Sequence, residues 1–406
     1  MTNLPHINDA NVEGKRVFLR CDHNVPINGD GKITDDSRIK ASLRTIHELL
    51  DMGAIVLVTS HLGRPKGGPD PRLSLKPVAD RLTQLIGINI PLIEEYISGP
   101  IPESITRLQP GQMAVLENVR FFDGESKNDP ELARAYARLA DIFVNDAFGT
   151  SHRAHASVHA IAEFLPHYAG YLLEDELDHL RKLISPDVVR PYIVVLGGAK
   201  AENKLPVLEF LKDKVDTIMI GGSCANTFLK AIGKEIGTGQ AEDDLIDDVR
   251  RVLNDQHRLG YRIELPRDLL VAPDLEPNTE PSIVDLDHIP PDCSSYDVGP
   301  KTIVAWKPLL RRAGTVLWNG PVGMFEDPRY VFGTRAVAKA IALSTRSYSV
   351  AGGGETMSAI NKLGLGWGFS HISTGGGASL EYMSGKLLPG VAALMEPQPE
   401  TVESAV

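Results

Sequence analysis

Basic side chains recur in this sequence where apolar runs give way to loops. In YIVVLGGAKAENK (192–204) a strand-like run ends at Gly197 and Gly198, and Lys200 and Lys204 follow. The pattern predicts a helix over 199–211, beginning at the glycine turn, with the two lysines four apart on one face. A glycine turn, a helix N-terminus and two ammonium groups make a place for a polyanion. Alone, such a unit also admits the plainer reading of a strand–helix turn with two surface lysines. It does not stand alone.

RVFLRCDHN (16–24) reads as a strand, with Arg20, Asp22 and Asn24 on one side and Cys21, His23 and Val25 on the other. Polar groups lined up at a strand's carboxyl end are costly in a core and useful at a ligand. Arg38 falls in the first turn of a helix predicted over 35–52, beside the positive end of the helix dipole, where a cation is disfavoured unless an anion is held there. His61 and Arg64 follow the strand-like 54–60, Arg120 follows 114–119, and Arg153 follows 142–145. One such arginine is ordinarily surface decoration; four strands repeating the pattern are hard to explain that way. Glycine turns end later strands at Gly221-Gly222, Asn319-Gly320-Pro321 (leading to Glu326), Gly352-Gly353-Gly354-Glu355-Thr356 and Gly375-Gly376-Gly377.

One set of groups suits a small anion and the other a phosphate chain. Two such anions repel by roughly 4 kcal/mol per charge pair at about 4 Å in a partly screened site. Arginines, lysines and helix N-termini facing one another would offset this, as phosphoryl transfer requires. No Ser/His/Asp or Cys/His constellation is evident, and none is needed if the nucleophile is a carboxylate, ionised at neutral pH. Neither G-x-x-x-x-G-K-[ST] nor G-x-G-x-x-G is completed by any glycine turn.

The elements that must position these residues are alternating strands and helices, which predict two doubly wound parallel sheets with ligands at the strands' carboxyl edges. Expected boundaries are 1–172 for the first domain, 173–186 for a connecting helix or hinge, 187–390 for the second domain and 391–406 for a tail packing back toward the first. Region 273–301, acidic and proline-rich, reads as an excursion from the second sheet. The length of 406 residues suits two domains, and a net charge of −11 argues against nonspecific nucleic-acid binding. No run of eighteen apolar residues and no signal-like N-terminal segment point to membrane or export. Cys21, Cys224 and Cys293, odd in number and far apart, suit free thiols in a reducing cytoplasm.

In order and spacing, RCDHNVP (20–26), SHLGRP (60–65), ENVRFF (117–122), NDAFGTSHRAH (145–155), LGGAKAENK (196–204), DVGPKT (297–302), WNGPVGMFE (318–326), AGGGET (351–356) and STGGGASLE (373–381) resemble the phosphoglycerate kinase family over essentially the whole chain. The resemblance implies an α/β fold of two Rossmann-like domains. It also implies reversible transfer of the γ-phosphoryl of Mg–ATP to the carboxylate of 3-phosphoglycerate, giving 1,3-bisphosphoglycerate and ADP in glycolysis and gluconeogenesis. The enzyme would be a cytoplasmic monomer with no nucleic-acid or membrane partner. By motif, Asp22, Asn24, Arg38, His61, Arg64, Arg120 and Arg153 would hold the phosphoglycerate. Arg38, Lys200 and the N–H groups of Gly353 and Gly354 would attend the moving phosphoryl group. Lys200 and Lys204 would contact ATP phosphates, Asn319 would lie near the triphosphate, Glu326 at the ribose and Thr356 on phosphate. Family members close by hinge bending.

Two departures matter. Glu355 stands where the family usually has Asp near Mg²⁺, and one extra methylene moves the carboxylate by roughly 1.5 Å. Cys21 and His23 replace usually apolar residues on the face away from the ligand and read as packing. Among rival readings, a metal hydrolase would use His152, His155 and His159, but Arg153 would repel the cation. A non-catalytic nucleotide-binding protein would be expected to lose Arg38 or Lys200. A dehydrogenase lacks its acidic ribose reader.

Overall fold

The computed structural model describes residues 4–66 and 68–399. These fall into two units, one running to Leu177 and resuming at Leu387, the other spanning Asp178–Lys386. The chain passes between them inside the helix Tyr171–Ile184, which starts before the expected connector at 173.

In the first unit, β1 (Arg16–Arg20), β2 (Ile55–Thr59), β3 (Leu92–Ile93), β4 (Met113–Leu116), β5 (Ile142–Asn145) and β6 (His167–Ala169) form a sheet in the order β3-β4-β2-β1-β5-β6. Every pairing is parallel. Strand residues are apolar on both faces because both faces are covered. Val17 and Leu19 pack with Val56, Val58 and Val144 beneath Ile39, Ile46, Val78 and Leu82. On the other face Phe18 meets Phe143 and Tyr136. Beyond Lys386 the described chain returns here, where Gly390 O accepts from Asn145 Nδ2 at 3.2 Å and Gln398 Oε1 from His167 N–H at 2.9 Å. The part of the predicted tail from 400 onward lies outside the described residues.

In the second unit, β7 (Tyr192–Leu196), β8 (Thr217–Ile220) and β9 (Arg262–Glu264) precede β10 (Asp268–Ala272), β11 (Ser282–Asp285) and β12 (Ser294–Val298), followed by β13 (Thr315–Asn319), β14 (Tyr348–Gly352) and β15 (His371–Ile372). The parallel sheet has the order β15-β14-β13-β7-β8-β9, while β11-β10-β12 is a separate antiparallel sheet. The excursion expected at 273–301 is thus part of a sheet that already begins at Asp268. Trp306 and Trp318 are fully buried in the core around Val195, Val316 and Ile341. Losing a tryptophan from such a core costs about 3–5 kcal/mol, which is ample to fix the register of the strand end carrying Asn319.

Three expected elements need correction. The strand from Arg16 ends at Arg20 rather than 24, although burial still alternates: Cys21, His23 and Val25 are buried, Asp22 and Asn24 half-buried. The helix over 35–52 is two helices, Ser37–Ala41 and Leu43–Asp51. Ser42 stands at the break, its hydroxyl donating to Ile39 O at 2.9 Å and meeting His23 Nε2 at 2.8 Å; a serine bonding back to the chain competes with the helix ladder. His23 is therefore packing with a polar task, and burial brings its pKa down to about 3. Finally, the helix over 199–211 begins only at Leu205. Pro206 has no N–H to donate and fits only a first turn. Lys200 and Lys204 consequently share no helix face.

Candidate active site

In the first unit the predicted residues converge past the ends of β1, β2, β4 and β5. Asp22 accepts from Arg38 Nη1 at 2.8 Å, and that carboxylate is what the structure sets beside the cation in the helix's first turn. His61 Nδ1 lies 3.8 Å from Asp22 Oδ1. Burial first, then Arg20, Arg120 and Arg38, hold the His61 pKa well below its usual value, so the ring is neutral and this is a contact rather than an ion pair. The buried Nδ1 has no hydrogen-bond partner among the described residues. Asn24 Oδ1 accepts from Gly63 N–H at 2.9 Å, and Gly63 O accepts from Arg120 Nη1 at 2.7 Å. One glycine thus ties the loops after β1, β2 and β4 together.

Arg64, Arg120 and Arg153 line a cavity of about 380 Å³ together with Glu125 and His155. Burial, followed by the charges of Arg153 and Arg20, pulls the Arg120 pKa below the usual arginine range. Glu125 opposes this shift only in part, and an anion bound in the cavity would favour the charged form of Arg120 further. Arg20 is the exception among the predicted strand-end arginines. It is fully buried, donating through Nε to Ser157 Oγ at 2.8 Å, and Ser157 Oγ donates to Glu125 Oε1 at 2.6 Å. Arg20 therefore lies under the cavity instead of facing it.

In the second unit the glycine turns abut backbone to backbone. Gly197 N–H donates to Asn319 O at 2.9 Å, Gly198 N–H to Pro321 O at 2.8 Å, and Cys224 N–H to Gly198 O at 3.0 Å. A Cβ at Gly197 would stand 2.2 Å from Pro321 O, which is why glycine is needed there. Lys204 is 7% exposed and donates through Nζ to Asn319 Oδ1. Burial lowers its pKa, against the pull of Cys224 and Glu355. Lys200 is exposed on the turn before it. Gly353, at φ +95°, caps the helix Gly354–Leu363, whose first N–H groups have no partner within the helix. Thr356 is fully buried and its Oγ1 accepts from Gly320 N–H at 2.7 Å, joining two turns. The Glu355 carboxylate reaches over Gly198, where Oε2 would lie 3.5 Å from a Cβ. Glu326 is exposed, and its carbonyl accepts from Lys362 Nζ at 3.1 Å. Lys362 is about 12 Å along the helix from Gly354.

The model of the family described as phosphoglycerate kinase matches residues 7–386. The chain belongs to the phosphoglycerate kinase family. Among solved structures it is similar to the phosphoglycerate kinase from Coxiella burnetii, with 40% identity, a TM-score of 0.86, and coverage of 97% of this chain and 99% of that one. It is also similar to the Pyrococcus horikoshii phosphoglycerate kinase, with 33% identity, a TM-score of 0.85, and coverage of 97% and 98%. The protein is accordingly a phosphoglycerate kinase in activity, a phosphotransferase acting reversibly between ATP and the carboxylate of 3-phosphoglycerate. No helix among the described residues is long and apolar enough to cross a membrane.

Sequence reasoning misses Glu125, Ser157 and the cavity role of His155, whose pKa is brought down to about 4 by burial and then by Arg20 and Arg120. His155 entered only as a metal-ligand candidate. Burial also raises the Glu125 pKa, with Arg20 opposing. Nothing local marks a lone Glu as the base of a cavity.

Proposed function

We propose that Arg38, His61, Arg64, Arg120 and Arg153, with Asp22 and Asn24 bracing them, hold 3-phosphoglycerate, and that the second unit's glycine turns hold ATP. The observation that carries this reading is the cavity in which Arg64, Arg120 and Arg153 converge, with the Arg120 pKa held below its usual range by burial and then by the neighbouring arginines Arg153 and Arg20. The carboxylate oxygen of the glycerate forms the new bond to the γ-phosphorus while the bond to the β-phosphate oxygen breaks. No proton is moved, since that carboxylate is already ionised. Catalysis then rests on charge placed around a loose transition state. Arg38 approaches from the acid side, and Lys200 with the N–H groups of Gly353 and Gly354 from the nucleotide side. Lys204 and Asn319 brace the turn that meets the triphosphate, and Thr356 ties it to Gly320. Glu326, at the far end of the helix from Gly354, suits the ribose. Closure of the two units excludes water that would hydrolyse ATP. The enzyme acts as a cytoplasmic monomer.

Magnesium fits this site in a particular way. Among the described residues no cluster of three or more His, Cys, Asp or Glu side chains offers a cage. Glu355, one exposed carboxylate above Gly198, is the donor expected where Mg²⁺ is held mainly by phosphates and water. When bound, the ion neutralises charge on the phosphate chain. A coupled assay of 1,3-bisphosphoglycerate formation from ATP and 3-phosphoglycerate tests the reading. Turnover is expected with Mg²⁺ and not without it, and no turnover under either condition would overturn it. Glu355→Asp, with its carboxylate withdrawn by roughly 1.5 Å, is expected to shift the half-saturating Mg²⁺ concentration. An unchanged titration would place this side chain away from the ion.

A further inference from the structure

The turn 199–204 carries both lysines assigned to ATP, yet nothing adjacent in sequence explains its shape. Pro206 prevents a helix from starting at 199 but leaves many irregular conformations open. We propose that Glu242, from a loop distant in sequence, is a positioning residue that selects one of them. Its Oε2 accepts from Ala201 N–H, and Oε2 and Oε1 lie 3.3 and 3.4 Å from Glu202 N. Two consecutive N–H groups converging on one oxygen form an anion-holding concavity, here filled by the protein's own carboxylate. Hydrogen bonds to an ionised acceptor are roughly twice as strong as neutral ones.

Glu242 is itself fastened. Its N–H donates to Thr227 Oγ1 at 3.2 Å, and Asp243 pairs with Lys230 at 2.7 Å, both partners on the helix Cys224–Ala231. The first residue of that helix donates to Gly198 O. The turn is thus held from two sides: at Gly198 by the helix backbone and at Ala201–Glu202 by the Glu242 side chain. Between these anchors Lys200 is left on the exposed side, while just beyond them Lys204 turns inward to Asn319. Glu242 touches neither reacting group in this arrangement; it acts through the lysines.

This inference rests on the assignment of Lys200 and Lys204 to ATP, so Lys200→Ala is assayed alongside. With the full chain and each substrate varied in turn, Glu242→Ala is expected to raise KM for ATP about 10-fold and lower kcat about 10-fold. KM for 3-phosphoglycerate should stay within about twofold, since a loosened nucleotide turn does not reach the other substrate. Glu242→Gln, which keeps a carbonyl oxygen in the place of Oε2, is expected to return both constants to within about threefold of the unmodified enzyme. A parallel rise in both KM values, no change in either, or failure of Gln to rescue would overturn the proposal. If Glu242→Ala does not fold, Glu242→Asp, too short to reach both N–H groups, is judged by the same criteria. If Lys200→Ala is also silent, the assignment of the lysine turn itself has failed. If Lys200→Ala loses turnover while Glu242→Ala does not, only the role of Glu242 has.

Discussion

Arg38→Ala is expected to reduce kcat about a thousandfold or more while the affinity for ATP stays within about twofold. The guanidinium sits in the first unit, anchored at 2.8 Å to Asp22, whereas the groups assigned to ATP belong to the second. Its removal therefore leaves nucleotide binding alone and deletes the cation expected beside the moving phosphoryl group. The substitution also leaves the Asp22 carboxylate, whose side chain is 10% exposed, without its ion-pair partner. That costs about 1–3 kcal/mol of stability, so a melting curve must accompany the kinetics. Arg38→Lys separates charge from geometry. A lysine keeps the charge but lacks the planar fork, so it reaches either Asp22 or the phosphoryl group and not both. Turnover below a tenth of the original is expected for this variant as well. An unchanged kcat in Arg38→Ala would remove the residue from the mechanism.

What the sequence made legible was periodicity. The runs at 55–59, 142–145, 192–196 and 315–319 are rich in β-branched and apolar residues and each gives way to a polar or glycine residue, and each is a strand within a residue or two of its expected limits. Because parallel strands share one carboxyl edge, placing Asp22 at the carboxyl end of one strand and His61, Arg120 and Arg153 after three others was enough to bring them together. Interactions across long sequence separations were not legible. Ser42 at the break is met by His23, the lysine turn by Glu242, and the buried Arg20 guanidinium by Ser157 and, through it, Glu125. Each is a polar contact made across a long sequence separation, and periodicity carries no record of that. One miss was avoidable. Pro206 is visible in the sequence, and a helix running through it from 199 contradicts its missing N–H.

Lys200→Ala separates the two lysines that spacing alone treated as a pair. Lys204 is buried and committed to Asn319, whereas Lys200 is exposed and, among the described residues, has no ion pair. A side chain held by the protein braces the ground state, while a long, unheld ammonium is able to follow a group that moves. Lys200→Ala is therefore expected to lower kcat about 10²–10³-fold, the usual effect of deleting one group that stabilises charge in the transition state. KM for ATP should change by no more than about threefold, because an interaction made mainly in the transition state contributes little to substrate binding. Since Lys200 is exposed, the melting temperature should stay within about 1 °C. The same substitution at Lys204 would strand Asn319 and disturb the packed turns, so it should lower stability and raise KM together. A Lys200→Ala enzyme with higher KM and undiminished kcat would make Lys200 a binding contact and leave Gly353 and Gly354 as the nucleotide-side groups facing the transferred phosphoryl.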